Sequence, residues 1–108
     1  MIVAVTAKGN GLDAEVDPRF GRAGCFLLFD SRSEQIQVID NGAGRDAAHG
    51  AGTKAAQAIV NAGAEVLLTG RCGPKAERAL QAAGVRIVTG AEGTVGEALY
   101  RFRNAERS

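Results

Sequence analysis

Apolar residues occur along this chain in two patterns, short continuous runs and stripes with helical spacing. The continuous runs are typical of strands buried on both faces, and they lie at residues 1–6, 25–29, 66–68 and 85–88. A further segment alternates Ile36 and Val38 with Gln35 and Gln37, which predicts a half-exposed strand at the edge of a sheet. The pattern therefore predicts five strands.

Three helices are predicted after the third strand. Their apolar stripes are Ala55, Ala56, Ile59 and Val60, then Ala76, Ala79, Leu80 and Ala83, and last Val95, Ala98, Leu99 and Phe102. Gly63 and Gly84 fit the position just beyond a helix end, and Pro74 suits the first position of a helix. Thr94 and Glu97 have the spacing of a capping box, which predicts where the last helix begins.

The order of these elements indicates an α/β fold. Residues 62–70 resemble residues 83–90, and both read as helix end, strand and Thr-Gly turn, so two successive α/β units give parallel strands joined by right-handed crossovers. The short polar turn at residues 30–34 predicts an antiparallel hairpin between the second and third strands. We therefore expect one three-layer α/β/α domain over residues 1–108, with the second strand antiparallel.

Charge and composition narrow the class of partner. The formal net charge is +1, whereas proteins that bind nucleic acid usually carry a clear basic excess. Met1 leads directly into an apolar strand, and no apolar run approaches the roughly 20 residues of a membrane span. We expect a cytoplasmic protein with no membrane or nucleic-acid partner, and with two cysteines that remain thiols.

Glycine-rich turns and basic residues are predicted to meet at one edge of the sheet. The carboxyl ends of strands one, three and four would gather the loops at residues 7–24, 41–52 and 70–73 there, where open α/β sheets bind ligands. Glycine turns beside helix starts leave backbone N–H groups free to face an anion. The residues expected at this edge as a binding site are Arg19, Phe20, Gly21, Arg22, His49, Gly50, Gly52, Arg71, Cys72 and Gly73, with Arg45 and Cys25 close by.

Each of these features also has a purely structural interpretation. Phe20 would plug the core while the neighbouring arginines are solvated or pair with acidic residues, and His49 would be a solvated loop residue. Cys25 would be a small apolar residue at the start of a strand. Cys72 differs from these residues, because it precedes a helix whose dipole is expected to lower the pKa of its thiol and to favour a reactive or ligating role.

No catalytic constellation stands out in the chain. The first strand has no carboxylate for a two-metal nuclease, and neither a GxSxG motif nor a full P-loop occurs. A nucleophile made of Cys72 and His49 would lack an orienting third group. The sequence therefore predicts a binding protein and not an enzyme.

Several short motifs give the chain a family resemblance. They are Val3-Ala4-Val5, residues 17–23 (Asp-Pro-Arg-Phe-Gly-Arg-Ala), residues 49–52 (His-Gly-Ala-Gly), residues 69–76 (Thr-Gly-Arg-Cys-Gly-Pro-Lys-Ala) and Gly93-Thr94-Val95. Together they resemble the dinitrogenase iron–molybdenum cofactor biosynthesis family, which includes NifX, NafY, the C-terminal domain of NifB and small stand-alone members. Cofactor-carrying members often have His directly before Phe-Gly, and this chain has Arg19 there, so it looks like a stand-alone member.

The resemblance implies both a fold and a cargo. The implied fold is a ribonuclease-H-like α/β/α motif with sheet order 3-2-1-4-5. The implied function is non-catalytic carriage of an iron–sulfur or iron–molybdenum-type cluster, with partner proteins in cluster assembly. Cys72, with Cys25 or His49, would then be the metal ligands, since thiolates suit such clusters. The alternative is a regulatory protein-interaction domain that uses its glycine-rich loops without a small ligand.

Overall fold

The predicted elements are present in the predicted order. A computed structural model of the chain describes residues 1–42, 46 and 49–107. Residue 107 is described by its backbone alone, and Arg45 lies outside the described residues. Within that part of the chain the strands are β1 (Ile2–Ala7), β2 (Cys25–Asp30), β3 (Ile36–Asp40), β4 (Val66–Leu68) and β5 (Arg86–Val88), and the principal helices are α1 (Ala51–Asn61), α2 (Pro74–Ala82) and α3 (Val95–Arg107).

The five strands form one mixed sheet in the order β3-β2-β1-β4-β5. β2 runs antiparallel to both β1 and β3, with Ala4 opposite Leu28 and Leu28 opposite Gln37. β4 runs parallel to β1 and to β5. These findings confirm the predicted α/β fold, the sheet order and the single antiparallel strand in the second position.

The sheet separates two apolar cores. Alternate residues of β1 and β2 point to opposite faces, so Val3 and Leu27 belong to one core while Ala4 and Phe26 belong to the other. The first core is closed by α3, which contributes Val95, Ala98, Leu99 and Phe102. The second core is closed by α1 and α2, which contribute Ala55, Ala56, Ile59, Ala76 and Leu80. The result is the three-layer arrangement that the sequence predicts.

The helix ends follow the predicted local chemistry. Gly63 and Gly84 have φ values of 86° and 82°, a left-handed conformation that glycine adopts at low cost after a helix. Thr94 N–H donates to Glu97 Oε1 at 2.9 Å and Glu97 N–H donates to Thr94 Oγ1 at 3.1 Å, which confirms the capping box of α3. No helix in the described part of the chain is long and apolar enough to cross a membrane.

Val85 marks a small difference from the predicted strand boundary. The strand was expected to begin there, but β5 begins at Arg86. The Val85 N–H donates to Leu80 O at 2.9 Å, and its side chain is buried in the core beneath α2. Val85 is apolar because it closes the end of α2, which explains why the apolar run is longer than the strand.

Candidate functional site

The loop after β1 and the turn after β4 lie side by side at one end of the sheet. Arg71 N–H donates to Pro18 O at 2.9 Å, and Phe20 N–H donates to Arg71 O at 3.2 Å, so Arg19 and Arg71 form a short parallel bridge. A Cβ on Gly70 would lie 2.6 Å from Pro18 Cα, so only glycine permits this close approach. Two loops that are far apart in the sequence are thus fixed to each other by backbone contacts.

Phe20 anchors this arrangement in the core. Its side chain is 2% exposed, and its ring centroid lies 5.5 Å from that of Phe26. The side chain therefore plugs the core, as the structural interpretation expects, while a role of Phe20 in binding stays a prediction. Gly21 follows Phe20 directly, so the buried ring also fixes the position of Gly21 beside the start of α1.

Small residues bring the starts of α1 and α2 together beside this turn. A Cβ on Gly21 would lie 2.8 Å from the backbone nitrogen of Gly52, and a Cβ on Gly52 would lie 3.1 Å from Ala76 Cβ. Larger side chains at these positions would force the loop and the two helices apart. Gly21, Gly52 and Ala76 therefore allow three segments to share one surface.

A cleft of about 620 Å³ opens between these three segments, and we call it the helix-end cleft. Arg22, Lys75 and Arg78 supply three cationic groups to its lining. Its other lining residues are Phe20, Gly21, Gly50, Ala51, Gly52, Thr53, Gly73, Pro74 and Ala76. This described lining contains no acidic side chain, no cysteine and no histidine, so its formal charge is positive.

Two helix N-termini add to the positive potential of the helix-end cleft. α1 begins after Gly50, which is left-handed at φ 72°, and α2 begins after Gly73, and neither helix start has a side-chain cap. The first turn of an α-helix leaves backbone N–H groups without an intrahelical acceptor, and the helix dipole places partial positive charge there. The cleft can therefore offer an anion both hydrogen-bond donors and positive charge.

The helix-end cleft brings together only some of the residues predicted for the site. Phe20, Gly21, Arg22, Gly50, Gly52 and Gly73 line it. Arg19 and Arg71 are exposed beside it, His49 is exposed next to Gly50, and Cys72 is half-buried next to Gly73, all outside the lining.

The two cysteines are not brought together. Cys25 belongs to the core beneath α3, where its S–H donates to Gly9 O at 3.2 Å. Cys72 packs against the core on the opposite face of the sheet. Cys25 and Cys72 therefore lie on opposite faces, and no group of three His, Cys, Asp or Glu side chains that could hold a metal occurs among the described residues. The two cysteines are separated by the pleat, which turns Cys25 towards α3. Metal binding by Cys72 with His49 stays a prediction.

The prediction of an activated Cys72 thiol is wrong. Burial raises the pKa of Cys72 above its usual value, and the nearby Glu77 carboxylate raises it further. Desolvation penalises the thiolate, and this acts in the direction opposite to the lowering that was expected from the helix dipole. Burial likewise raises the pKa of Cys25, with Asp40 and Asp17 adding to the effect.

Sequence reasoning missed three polar side chains of the cleft, namely those of Thr53, Lys75 and Arg78, although it expected an anion near the backbone N–H groups of residues 72–75. Lys75 and Arg78 lie three positions apart in α2, a spacing that puts both side chains on one side of a helix. That spacing is a readable signal. The polar side of α2 thus carries a signal for the cleft, just as its apolar stripe carries a signal for the core.

The family model described as dinitrogenase iron-molybdenum cofactor matches residues 1–105 of the chain. The chain belongs to this family. The suspected resemblance is therefore confirmed over nearly the whole sequence. A search of curated proteins finds no match.

Two solved structures extend the comparison within this family's fold. The chain is similar to the apo form of the orange protein from Desulfovibrio gigas, with 49% sequence identity, a TM-score of 0.94, and coverage of 97% of this chain and 88% of that chain. It is also similar to a putative NifB protein from Thermotoga, assigned to the DUF35 family, with 36% identity, a TM-score of 0.84, and coverage of 95% and 87%.

Proposed function

We propose that the chain is a non-catalytic carrier that binds an anionic metal–sulfur cluster, or a precursor of one, in the helix-end cleft. The observation that carries this proposal is the cleft's lining, in which Arg22, Lys75 and Arg78 surround two uncapped helix starts without an acidic side chain. Membership of the dinitrogenase iron-molybdenum cofactor family supports a metal–sulfur cargo. The similar orange protein is described in an apo form, which indicates that it also has a ligand-bound form.

The mixed character of the cleft suits a metal–sulfur anion. Sulfide atoms at the surface of a cluster accept hydrogen bonds from N–H groups, and such bonds tune the cluster. Arginine is less strongly hydrated than an ammonium group, so it pairs well with a large and diffuse anion. The exposed Pro74 adds apolar surface to the lining, which suits an ion with little bound water.

In this proposal the cargo is held mainly by charge and hydrogen bonds. The described lining contains no thiol, and Cys25 lies on the other face of the sheet. Cys72 is the neighbour of Gly73, so direct ligation by this one thiolate stays a prediction that the same experiment can test. The iron–molybdenum type of cluster is the cargo that the family description favours.

Anaerobic titration with tetrathiomolybdate tests the proposal. This dianion is a simple molybdenum–sulfur species, and its visible absorption reports binding. Arg22→Gln, Lys75→Gln and Arg78→Gln should each weaken binding by about tenfold, because each removes a charge-assisted contact. The matched control is Arg32→Gln, which removes an exposed arginine from the turn between β2 and β3. Sulfate at equal ionic strength controls for general anion binding.

The outcomes of this titration separate the candidate functions. Equal binding by wild type, the three cleft variants and Arg32→Gln would contradict the cleft as the site. A loss confined to Cys72→Ser would show thiolate ligation in place of charge-based binding. If the protein, expressed in a cell that assembles such clusters and purified anaerobically, contains no metal and binds no tetrathiomolybdate, the protein-interaction domain without a small ligand becomes the better interpretation.

A further inference from the structure

Asn41 is a buried polar residue at the point where the chain leaves β3. Only 5% of the accessible surface of Asn41 is exposed to solvent. The side-chain Nδ2 donates to Gly21 O at 3.2 Å and to Ala23 O at 2.9 Å, and the backbone N–H donates to Gly24 O at 3.1 Å. One residue therefore binds three carbonyl groups of the segment that precedes β2.

Arg22 lies at the centre of that segment, between two of the bound carbonyls. Because each peptide unit is planar, the bond from Asn41 to Gly21 O restrains the peptide plane that precedes the Arg22 Cα atom. The plane that follows this atom is restrained by the Ala23 N–H, which donates to Phe20 O at 3.4 Å, and the Asn41 bond to Ala23 O fixes the next peptide unit. The direction in which the Arg22 side chain leaves the backbone is set by these planes. Gly21 and Gly24 flank the segment, and glycine allows many backbone conformations when nothing restrains it.

The chemistry of the amide suits this task better than that of other side chains of similar size. A single planar NH₂ group supplies two donors, and two carbonyl acceptors face it. Aspartate offers no donor when ionised, serine offers only one, and leucine offers none. Since Ala23 is fully buried, its carbonyl would not regain a partner from bulk water if the amide were removed.

We propose that Asn41 is a positioning residue that holds Arg22 in the orientation needed to bind the cargo. This inference rests on the proposed function, since it takes the helix-end cleft as the binding site. Asn41 does not line the cleft, so it acts on the cargo through Arg22. Its effect is to place the guanidinium before the cargo arrives, which lowers the entropic cost of binding.

A double-mutant cycle with tetrathiomolybdate as the probe tests this link. Asn41→Ala should weaken binding by about fivefold in the wild-type background. The reason is that part of the binding free energy is then used to order the Arg22 side chain. In the Arg22→Gln background the same substitution should change affinity by less than about twofold, whereas in the Lys75→Gln background it should keep its full effect. Equal losses in both backgrounds would overturn the proposal, since a general loosening of the fold predicts that result.

Backbone dynamics provide a readout that does not depend on the probe. By NMR relaxation, the amide order parameter at Arg22 should fall from about 0.85 in wild type to below about 0.6 in Asn41→Ala, while that of the buried Phe20 stays high. Asn41→Ser keeps one donor and should give an intermediate value, and it serves if the alanine variant fails to fold. Unchanged order at Arg22 would overturn the inference whatever the binding result, whereas a wild type that binds no probe would overturn only the proposed function.

Discussion

Arg22, Lys75 and Arg78 reach the helix-end cleft from two unrelated places in the chain. Arg22 lies in the loop before β2, whereas Lys75 and Arg78 lie in the first turns of α2. None of the three is part of either apolar core. The charge of the cleft can therefore be changed one residue at a time with little effect on the packing that holds the fold together.

Cys72 should react slowly with alkylating agents at neutral pH. Its pKa is raised by burial and by Glu77, so the nucleophilic thiolate is scarce until the pH exceeds the usual range of a thiol titration. The measurement is the rate of iodoacetamide modification against pH in a Cys25→Ser variant, compared with a free thiol in a short peptide. A rate at pH 7 equal to or above that of the peptide would contradict the raised pKa.

Glu97 should stabilise α3 in a pH-dependent way. The Thr94 N–H donates to its carboxylate, which lowers the pKa of Glu97, and the Thr94 side chain and Arg101 act in the same direction. A lowered pKa in the folded state means that this stabilisation is present above the usual carboxyl pKa and is lost as the pH falls through the folded-state value. Glu97→Ala should therefore reduce Tm at pH 7 more than at pH 3.

The control for this effect is Glu97→Gln, which keeps a hydrogen-bond acceptor for Thr94 but removes the charge. Its Tm should depend less on pH than that of wild type over the same interval. If the Tm difference between wild type and Glu97→Ala is the same at both pH values, the capping carboxylate does not contribute as the structure indicates.

At the scale of the element, the helices differ in how they begin. α3 starts with a reciprocal Thr94–Glu97 capping box, whereas α1 and α2 start after Gly50 and Gly73 without a side-chain cap. Thus α3, which lies outside the cleft, has a side-chain cap. In α1 and α2, which line the cleft, no side chain caps the first N–H groups, so an anion can accept hydrogen bonds from them. The proposed anion would take the place of the missing caps.

Gly73→Asp should make the protein more stable and weaken its binding of an anion. Gly73 has an extended conformation typical of an N-cap, and a Cβ there would meet no atom within 4 Å. An aspartate cap should stabilise α2 by about 0.3–1 kcal/mol and weaken tetrathiomolybdate binding by at least about tenfold, because it occupies the same N–H groups and repels the anion. Titration and thermal unfolding measure the two effects.

Ser33→Asp is the matched control for this substitution. It changes the net charge by the same amount, but it lies in the exposed turn between β2 and β3. Binding by this variant should stay close to that of wild type. If both aspartate variants weaken binding equally, the effect comes from overall charge, and α2 has no special role.

At the scale of the whole molecule, the sheet divides the protein into a face that bears the cleft and a face that does not. Leu80 of α2 and Leu99 of α3 are both buried, one on each face. Leu80→Ala and Leu99→Ala should each lower the free energy of unfolding by about 2–5 kcal/mol. Only Leu80→Ala should also weaken probe binding, since α2 forms a wall of the cleft. Urea unfolding and titration of both variants check this, and equal losses of affinity would show that the faces are coupled.

Most of the fold could be predicted from the sequence because the relevant signals are local. The alternation of Ile36 and Val38 with polar residues identifies the edge strand, and Thr94 with Glu97 identifies the start of α3. The candidate site was harder, because it depends on which side chains share a face. Cys25 and Cys72 both adjoin the same end of the sheet, but the side on which each lies is decided by pairing, such as that of Cys25 with Ala7.

The uncapped starts of α1 and α2 have a consequence for the lifetime of the protein. If the proposed cargo binds in the helix-end cleft, a molecule without it keeps two positive helix ends and several cationic side chains close together, which lowers the stability of its fold. A bound anion restores it, and mass action adds about 2.7 kcal/mol when the free ligand is at a hundred times its dissociation constant. Loaded molecules would then unfold less often and resist proteases longer than empty ones. The amount of this protein in a cell would then follow the amount of cargo available to bind it.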